Sequence, residues 1–350
     1  MKTRFIAIAS IGVLLLNIAA FAKPDTRSSA VKKARAAKLV AMLPASDGVV
    51  SFDSKRFLSD ALPKILSGNQ PILSEVMAKI TEMETRTGID LRKFDQVAVG
   101  VAFKQVSAKE IDYDPVAIAS GDVNAGALVA LAKLASNGTY KTEKIGERTV
   151  YVFSAKEVLQ NTSVKTTNSA VANMIDKALT GMSKDIAVTA FDRNTLVMGS
   201  LARVTETLEG KTKISAELNG LLSRNPTAVM SFAAKSPGTL AHLLPLENDE
   251  LGKTVNAIQT LSGSMDVTAA GSAVSILART KTAEEATGLK DLLDVGQMLG
   301  KTVFGTSKRP DQQIYARLIR AAKFEAKGTD VTLDLLVAQS DIDSLLNKVK

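Results

Sequence analysis

Histidine is the side chain that most often moves protons or holds metals, and this chain of 350 residues has one, His242, and no cysteine. A multi-histidine metal site is impossible, and zinc is disfavoured without thiolates. His242 lies in the apolar, helix-like stretch Leu240-Ala241-His242-Leu243-Leu244. No G-x-S-x-G elbow supplies it with a nucleophile, so it reads as a structural or surface histidine. Gly-Lys-Thr occurs at Gly210, Gly252 and Gly300, but a phosphate loop needs a further glycine five residues earlier, where Thr205, Glu247 and Val295 stand. These glycines read as helix-end or turn positions. Ser29 and Lys32 match S-x-x-K without the partner motifs of penicillin-recognising enzymes. The sequence therefore carries no cofactor or metal motif.

Carboxylates and cations remain. Glu110, Asp112 and Asp114 alternate and could offer oxygens to calcium, yet no D-x-D-x-D-G loop follows, so they read as a solvated loop ahead of Pro115. Between residues 301 and 327, Lys301, Lys308, Arg309, Arg317, Arg320, Lys323 and Lys327 face only Asp311 and Glu325. Long basic side chains on an exposed helix and loop account for such a run. The functional alternative is a patch for an anionic partner or surface, centred on Lys308, Arg309, Arg317 and Arg320.

The formal charge is +8, but its placement matters more than its size. Eight basic residues against Asp25 alone precede residue 39, whereas residues 39 to 350 hold 36 basic and 35 acidic groups. The body is nearly neutral. With aromatics at 4% and no Trp, it lacks both the charge and the stacking platforms of a nucleic-acid binder.

The basic N-terminus resolves into two parts. Met1-Lys2-Thr3-Arg4, the apolar run Phe5 to Phe21 and the small-x-small site Ala20-Phe21-Ala22 form a secretory signal over residues 1–22, with cleavage expected after Ala22. The 17-residue run falls short of the roughly 20 residues that cross a bilayer as a helix, and no later stretch approaches that length. Residues 23–42 read as a basic tether, a solvated linker rather than an amphipathic helix on lipid, because its apolar face would be mostly Ala. A periplasmic or secreted location follows. Without cysteine, an exported chain has no disulfides, so its stability must come from core burial.

The elements of the body follow from periodicity. Val49 to Phe52 is a short strand; an apolar stripe from Ile72 to Met83 behind Pro71 is a helix stopped at Gly88. Val97 to Phe103 alternates large with small residues and has no polar face, so it belongs inside a sheet that a helix or second layer approaches closely. Val116 to Ser120 is another strand, Asn124 caps a helix to about Leu134, and Tyr140 to Phe153 is a hairpin around Gly146. Residues 160–169 are a loop and 171–179 a helix. A hairpin across Asp192-Arg193-Asn194 and a helix from Leu201 to Leu208 close residues 43–225.

Asn225-Pro226 is the internal boundary, and residues 226–350 restart the pattern. Val229-Met230-Ser231-Phe232 echoes Val49-Val50-Ser51-Phe52; strands at 265–270 and 273–278, a capping box at Thr282 and Glu285, a hairpin across Gly328-Thr329-Asp330 and a terminal helix follow. The fold class is α+β: two related halves of mostly antiparallel strands, largely hairpins, with helices packed on the sheet.

Leu43-Pro44-Ala45-Ser46-Asp47, and Thr87-Gly88-Ile89-Asp90 leading into the Val97 strand, resemble exported bacterial families of unknown function that carry an LP-x-x-D opening and a helix, Gly-apolar-Asp, strand module. The resemblance covers the first third of the chain; it implies an α+β exported domain and no active site. The sequence thus points to an exported, non-catalytic binding or structural module of the bacterial envelope whose partner is an unspecified protein or envelope component. Two alternatives stand beside it. A carrier of an apolar ligand would enclose a cavity lined by residues such as Met77, Met83 and Phe103, and a carboxylate hydrolase would bring two Asp or Glu side chains together in a cleft.

Overall fold

A computed structural model describes residues 26–107, 110–136, 138–154, 185–236, 249–268 and 270–346. The signal segment with Ala20 and Ala22, the loop and helix expected over 160–179, and His242 lie outside the described residues. In chain order the structure runs α1 (Thr26–Met42), β1 (Gly48–Phe52), α2 (Gln70–Thr87), β2 (Phe94–Ser107), β3 (Glu110–Gly121), α3 (Ala125–Ala135), β4 (Tyr140–Ile145), β5 (Arg148–Phe153), β6 (Ile186–Asp192) and β7 (Thr195–Gly199). It continues through α4 (Leu201–Glu209), α5 (Ala216–Leu222), β8 (Met230–Lys235), α6 (Asp249–Asn256), β9 (Ile258–Val267), β10 (Gly271–Thr280), α7 (Ala283–Gly305), α8 (Pro310–Ala321), β11 (Lys323–Lys327), β12 (Asp330–Ala338) and α9 (Gln339–Leu346). All strands among the described residues join one 12-stranded sheet in the order β11-β12-β10-β9-β8-β1-β2-β3-β7-β6-β5-β4, and each described pairing is antiparallel.

The two halves meet at the middle of this sheet. β1 pairs β8 with Ser51 opposite Ser231, Val50 opposite Phe232 and Phe52 opposite Met230. Each half then reads outward in the same order, β1-β2-β3-β7-β6 on one side and β8-β9-β10-β12-β11 on the other, with β5-β4 as an extra hairpin on the first. The relation between Val49–Phe52 and Val229–Phe232 therefore becomes a local two-fold about the Ser51–Ser231 pair.

Local chemistry explains most boundaries. Asn69 caps α2 by accepting from the Ile72 amide, and Gly88 at φ 68° ends it in the left-handed region that suits glycine. The expected capping box opens α7: Thr282 accepts from the Glu285 amide while the Glu285 carboxylate accepts from the Thr282 amide. Gly146 turns the β4–β5 hairpin at φ 59°.

Opposed residues of an antiparallel pair share a face, so the register assigns the two layers. On one face Val49, Ala98, Ile118, Val197 and Ala233 are buried under Leu39, Val40 and Leu43 of α1 and its exit, Val204 of α4, and Leu218, Leu221 and Leu222 of α5. On the other face the helical segment around Ala61, Leu62 and Ile65 packs with Val267, Val337 and Ile342, α7 packs through Ala286 and Leu289, and Val129 of α3 meets Phe153 and Val188.

Three expectations are corrected. Residues 23–42 are not a linker throughout: the chain is helical from Thr26, and the last turns of α1 bury Leu39 and Val40 and pair Arg35 with Asp95. Alanine-rich sequence looks linker-like, and among its described side chains the buried apolar ones come at its end. Glu110, Asp112 and Asp114 lie within β3, where Asp112 and Asp114 face Lys104 and Ala102 of β2. Strand pairing has absorbed what composition suggested was loop. Gly300 sits inside α7 and Gly252 inside α6 rather than at an end, and of the three Gly-Lys-Thr glycines only Gly210 caps a helix, at φ 65°.

The LP-x-x-D segment is a structural lock. Asp47 accepts from the Phe103 amide at 2.9 Å and donates its own amide to the Val101 carbonyl, closing the β2 edge where β1 begins. Ser46 accepts from the buried Arg203 guanidinium at 2.7 Å and donates to the Pro44 carbonyl at 2.9 Å. A Cβ on Gly100 would lie 2.5 Å from the Ser46 hydroxyl, which is the close approach the small residues of β2 predicted.

Candidate functional site

The basic run of residues 301–327 builds a helical hairpin. α7 has 23 residues, so it is about 34 Å long. Its first turns bury Ala286 and Leu289 against Ile258, Ala278 and Val331 of the sheet. Beyond them α7 leans on α8 instead: the Gln297 amide donates to the Ile319 and Ala322 carbonyls at 2.7 Å, satisfying orphan acceptors at the end of α8. A Cβ on Gly300 would lie 2.8 Å from the Ile319 Cδ1, and Phe304 packs on Tyr315 with ring centroids 6.0 Å apart. Pro310 opens α8, which buries Ile314 and Ala316.

At 100° per residue, Ala286, Leu289, Leu293, Gln297, Gly300 and Phe304 form the packed face of α7. The opposite face changes character along the helix. Near its start it presents Glu284 and Asp291; further on it presents Val295, Met298, Leu299 and Val303 at 49%, 59%, 57% and 65% exposure. Four large apolar side chains thus cluster on the outer face of the distal half. Single exposed apolar residues need no explanation, whereas a contiguous group marks an interaction surface.

Cations flank this group unevenly. Lys301 lies on α7, where it donates to the Gln297 carbonyl oxygen at 2.9 Å, and Lys308 and Arg309 stand exposed in the turn to α8. Their charge also suits the negative end of the α7 dipole. Arg320 is exposed in the last turn of α8. Arg317 differs from the other three residues of the expected patch: it bonds Asp341 at 2.5 and 2.7 Å, and Asp341 is 6% exposed at the start of α9. Arg317 therefore anchors α8 to α9. On the acidic stretch of α7, hydrogen bonding to Asp294 raises the Lys290 ammonium pKa, and backbone and Thr282 hydrogen bonds lower that of Glu284 at the helix start.

The charge pattern singles out Lys308, Arg309 and Arg320 but not the exposed Val295, Met298, Leu299 and Val303. A signal existed: residues 283–305 carry apolar groups around more than one helical face, too many for a helix with a single packed stripe. Among the described residues no cluster of His, Cys, Asp or Glu could hold a metal, and no helix is long and apolar enough to cross a membrane. Met77 packs against the core around Ile65 and Val337, and Phe103 meets Tyr113 edge-on at 5.6 Å on the β2–β3 arm. The side chain of Met83 lies outside the description.

No protein-family model matches the chain, and no curated protein matches it. Solved structures of TP0453 are similar in outline. Crystal form III aligns with 88% of this chain and 96% of its own at 10% identity and a TM-score of 0.45; crystal form I covers 89% and 96% at 11% identity and 0.40. Crystal form IV covers 88% and 96% at 9% identity and 0.42.

Proposed function

We propose that this protein is an exported, non-catalytic binding module of a bacterial envelope, periplasmic or secreted, that docks on anionic lipid through the distal half of the α7–α8 hairpin. The carrying observation is the exposure of Val295, Met298, Leu299 and Val303 together on one helix face, beside Lys301, Lys308, Arg309 and Arg320. A convex helix with apolar residues on its crest and cations at its flanks suits an interface of acyl chains and anionic headgroups. Its apolar residues would each contribute about 1 kcal/mol on leaving water, given that each is roughly half exposed. Each flanking cation would add about 1 kcal/mol near an anionic surface. The total is enough for reversible, salt-sensitive docking rather than permanent insertion.

The basic residues that remain between 23 and 38 after cleavage, six against Asp25, would also be drawn toward an anionic membrane. Sedimentation with phosphatidylglycerol vesicles, and with phosphatidylcholine vesicles as the neutral control, tests the proposal. Binding to the first should fall at least tenfold in Met298→Asp/Leu299→Asp and weaken with salt. Equal binding by wild type and double variant would remove this site. Mass measurement of the exported chain tests the signal, which predicts a mature N-terminus at Lys23.

A further inference from the structure

The local two-fold exposes a difference between the halves on the face that carries α1, α4 and α5. In the first half the row running outward from Ser51 is Ala98, Ile118 and Val197, each at most 1% exposed. In the second half the matching row is Ser231, Ser264, Ser275, Asp334 and Lys323. The row has turned polar, and the cover has changed with it. α4 returns over the first-half face after β7, whereas α9, which follows the matching strand β12, packs Ile342 on the opposite face against Ala61 and Ile65. What remains is a trough of about 560 Å³, walled by Leu221, Leu222, Arg224 and Asn225 from the end of α5 and by Ala321 and Lys323 across from them.

Two features separate this trough from a merely solvated sheet face. Leu336 lies in it 46% exposed, and Leu277 and the small Ala273 continue an apolar strip beside the hydroxyls, giving the mixed lining typical of small-ligand sites. The polar groups are also organised. Asn225 donates to the Ser264 hydroxyl at 3.1 Å, and the Ser231 hydroxyl donates to the Asn225 carbonyl at 3.4 Å, whereas Ser275, Asp334 and Lys323 make no side-chain hydrogen bond or ion pair among the described residues. A carboxylate and an ammonium thus stand unengaged at one end, and Arg224, 3.6 Å from Asp330, stands at the α5 rim. Ser264 and Asp334 are two strand spacings apart, about 10 Å. An extended tripeptide has that reach.

We propose that this trough binds a short peptide with a free N-terminus, lying across β9, β10 and β12 with its ammonium on Asp334 and its amides along the Ser275 and Ser264 hydroxyls. Serine hydroxyls, which both donate and accept, complement peptide amides, and the leucines accept small apolar side chains. Without an aromatic platform in its lining, the trough does not suit a stacked sugar or base.

The probe is trialanine, titrated calorimetrically into the full chain, with N-acetyl-trialanine amide as the blocked control. The proposal expects saturable binding of trialanine, at least tenfold weaker binding of the blocked peptide, and at least tenfold weaker binding of trialanine to Asp334→Asn. Asp334 is exposed, so this variant should keep the wild-type circular dichroism and vesicle docking. No saturable binding below about 10 mM trialanine, an affinity weaker than roughly −3 kcal/mol, would overturn it. So would equal binding by Asp334→Asn, or equal binding of the blocked peptide.

Discussion

Arg317 and Arg320 carry the same charge three residues apart, yet the structure gives them different roles, and replacing each with alanine should separate those roles. Arg317 makes bonds of 2.5 and 2.7 Å to Asp341, whose neighbour Ile342 is fully buried at the base of α9. Removing the guanidinium leaves a buried carboxylate without that partner, a loss that costs about 3–5 kcal/mol for a wholly buried pair. The Arg317 side chain is itself 49% exposed, so water can replace part of the bond, and the cost falls to about 1–3 kcal/mol. For a body of roughly 310 residues, that lowers the melting temperature by about 2–5 °C. Arg320→Ala should stay within about 0.5 kcal/mol, the usual range for a surface change. Urea titration followed by circular dichroism reads both variants, and vesicle sedimentation reads the reverse ranking, with Arg320→Ala the more impaired at low salt. Equal stability of the two variants would refute the assignment of Arg317 as an anchor.

Two further outcomes follow from particular contacts. Gly300→Leu would place a side chain against Ile319 Cδ1, already 2.8 Å from an added Cβ, so it should cost about 1–3 kcal/mol in urea and loosen the hairpin, read as faster amide exchange in α8. Hydrogen bonding from Arg279, at 2.7 and 3.1 Å, holds the Asp330 carboxyl below the usual carboxylate range. Because the folded-state value is lowered, this contribution is present above the unfolded pKa near 4 and is lost as pH falls through the folded value. The pair is partly solvent-screened and contributes about 1 kcal/mol at most, so Asp330→Asn should lower stability slightly at pH 7 and flatten the acid limb of the stability curve.

Local chemistry was legible in the sequence wherever one residue type has few uses. Gly88, Gly146, Asn124 and the Thr282–Glu285 pair mark their boundaries through backbone conformation or caps, and each lies where expected. The repeat of Val49–Phe52 at Val229–Phe232 anticipated two related halves, but not that these strands pair with each other, because nothing in a strand names its partner. The Ala-rich α1 escaped notice since, among its described side chains, Leu39 and Val40 near its end are the buried ones. The candidate site was half visible. Cations show in a charge count, whereas the exposure of Met298 and Leu299 depends on which face of α7 packs on the sheet and on α8, a tertiary fact. The serine row was invisible for the same reason: Ser231, Ser264, Ser275 and Asp334 are far apart in sequence, and only the register aligns them.

The absence of cysteine allows one probe per molecule, and this gives the most direct measurement of docking. An environment-sensitive nitrobenzoxadiazole label on Met298→Cys, with Lys144→Cys on the exposed β4 as control, would report which surface enters a bilayer. With phosphatidylglycerol vesicles at low salt, the account predicts a blue-shifted, brighter emission at position 298 and no change at 144. An unchanged emission at 298, or the same shift at both positions, would contradict it.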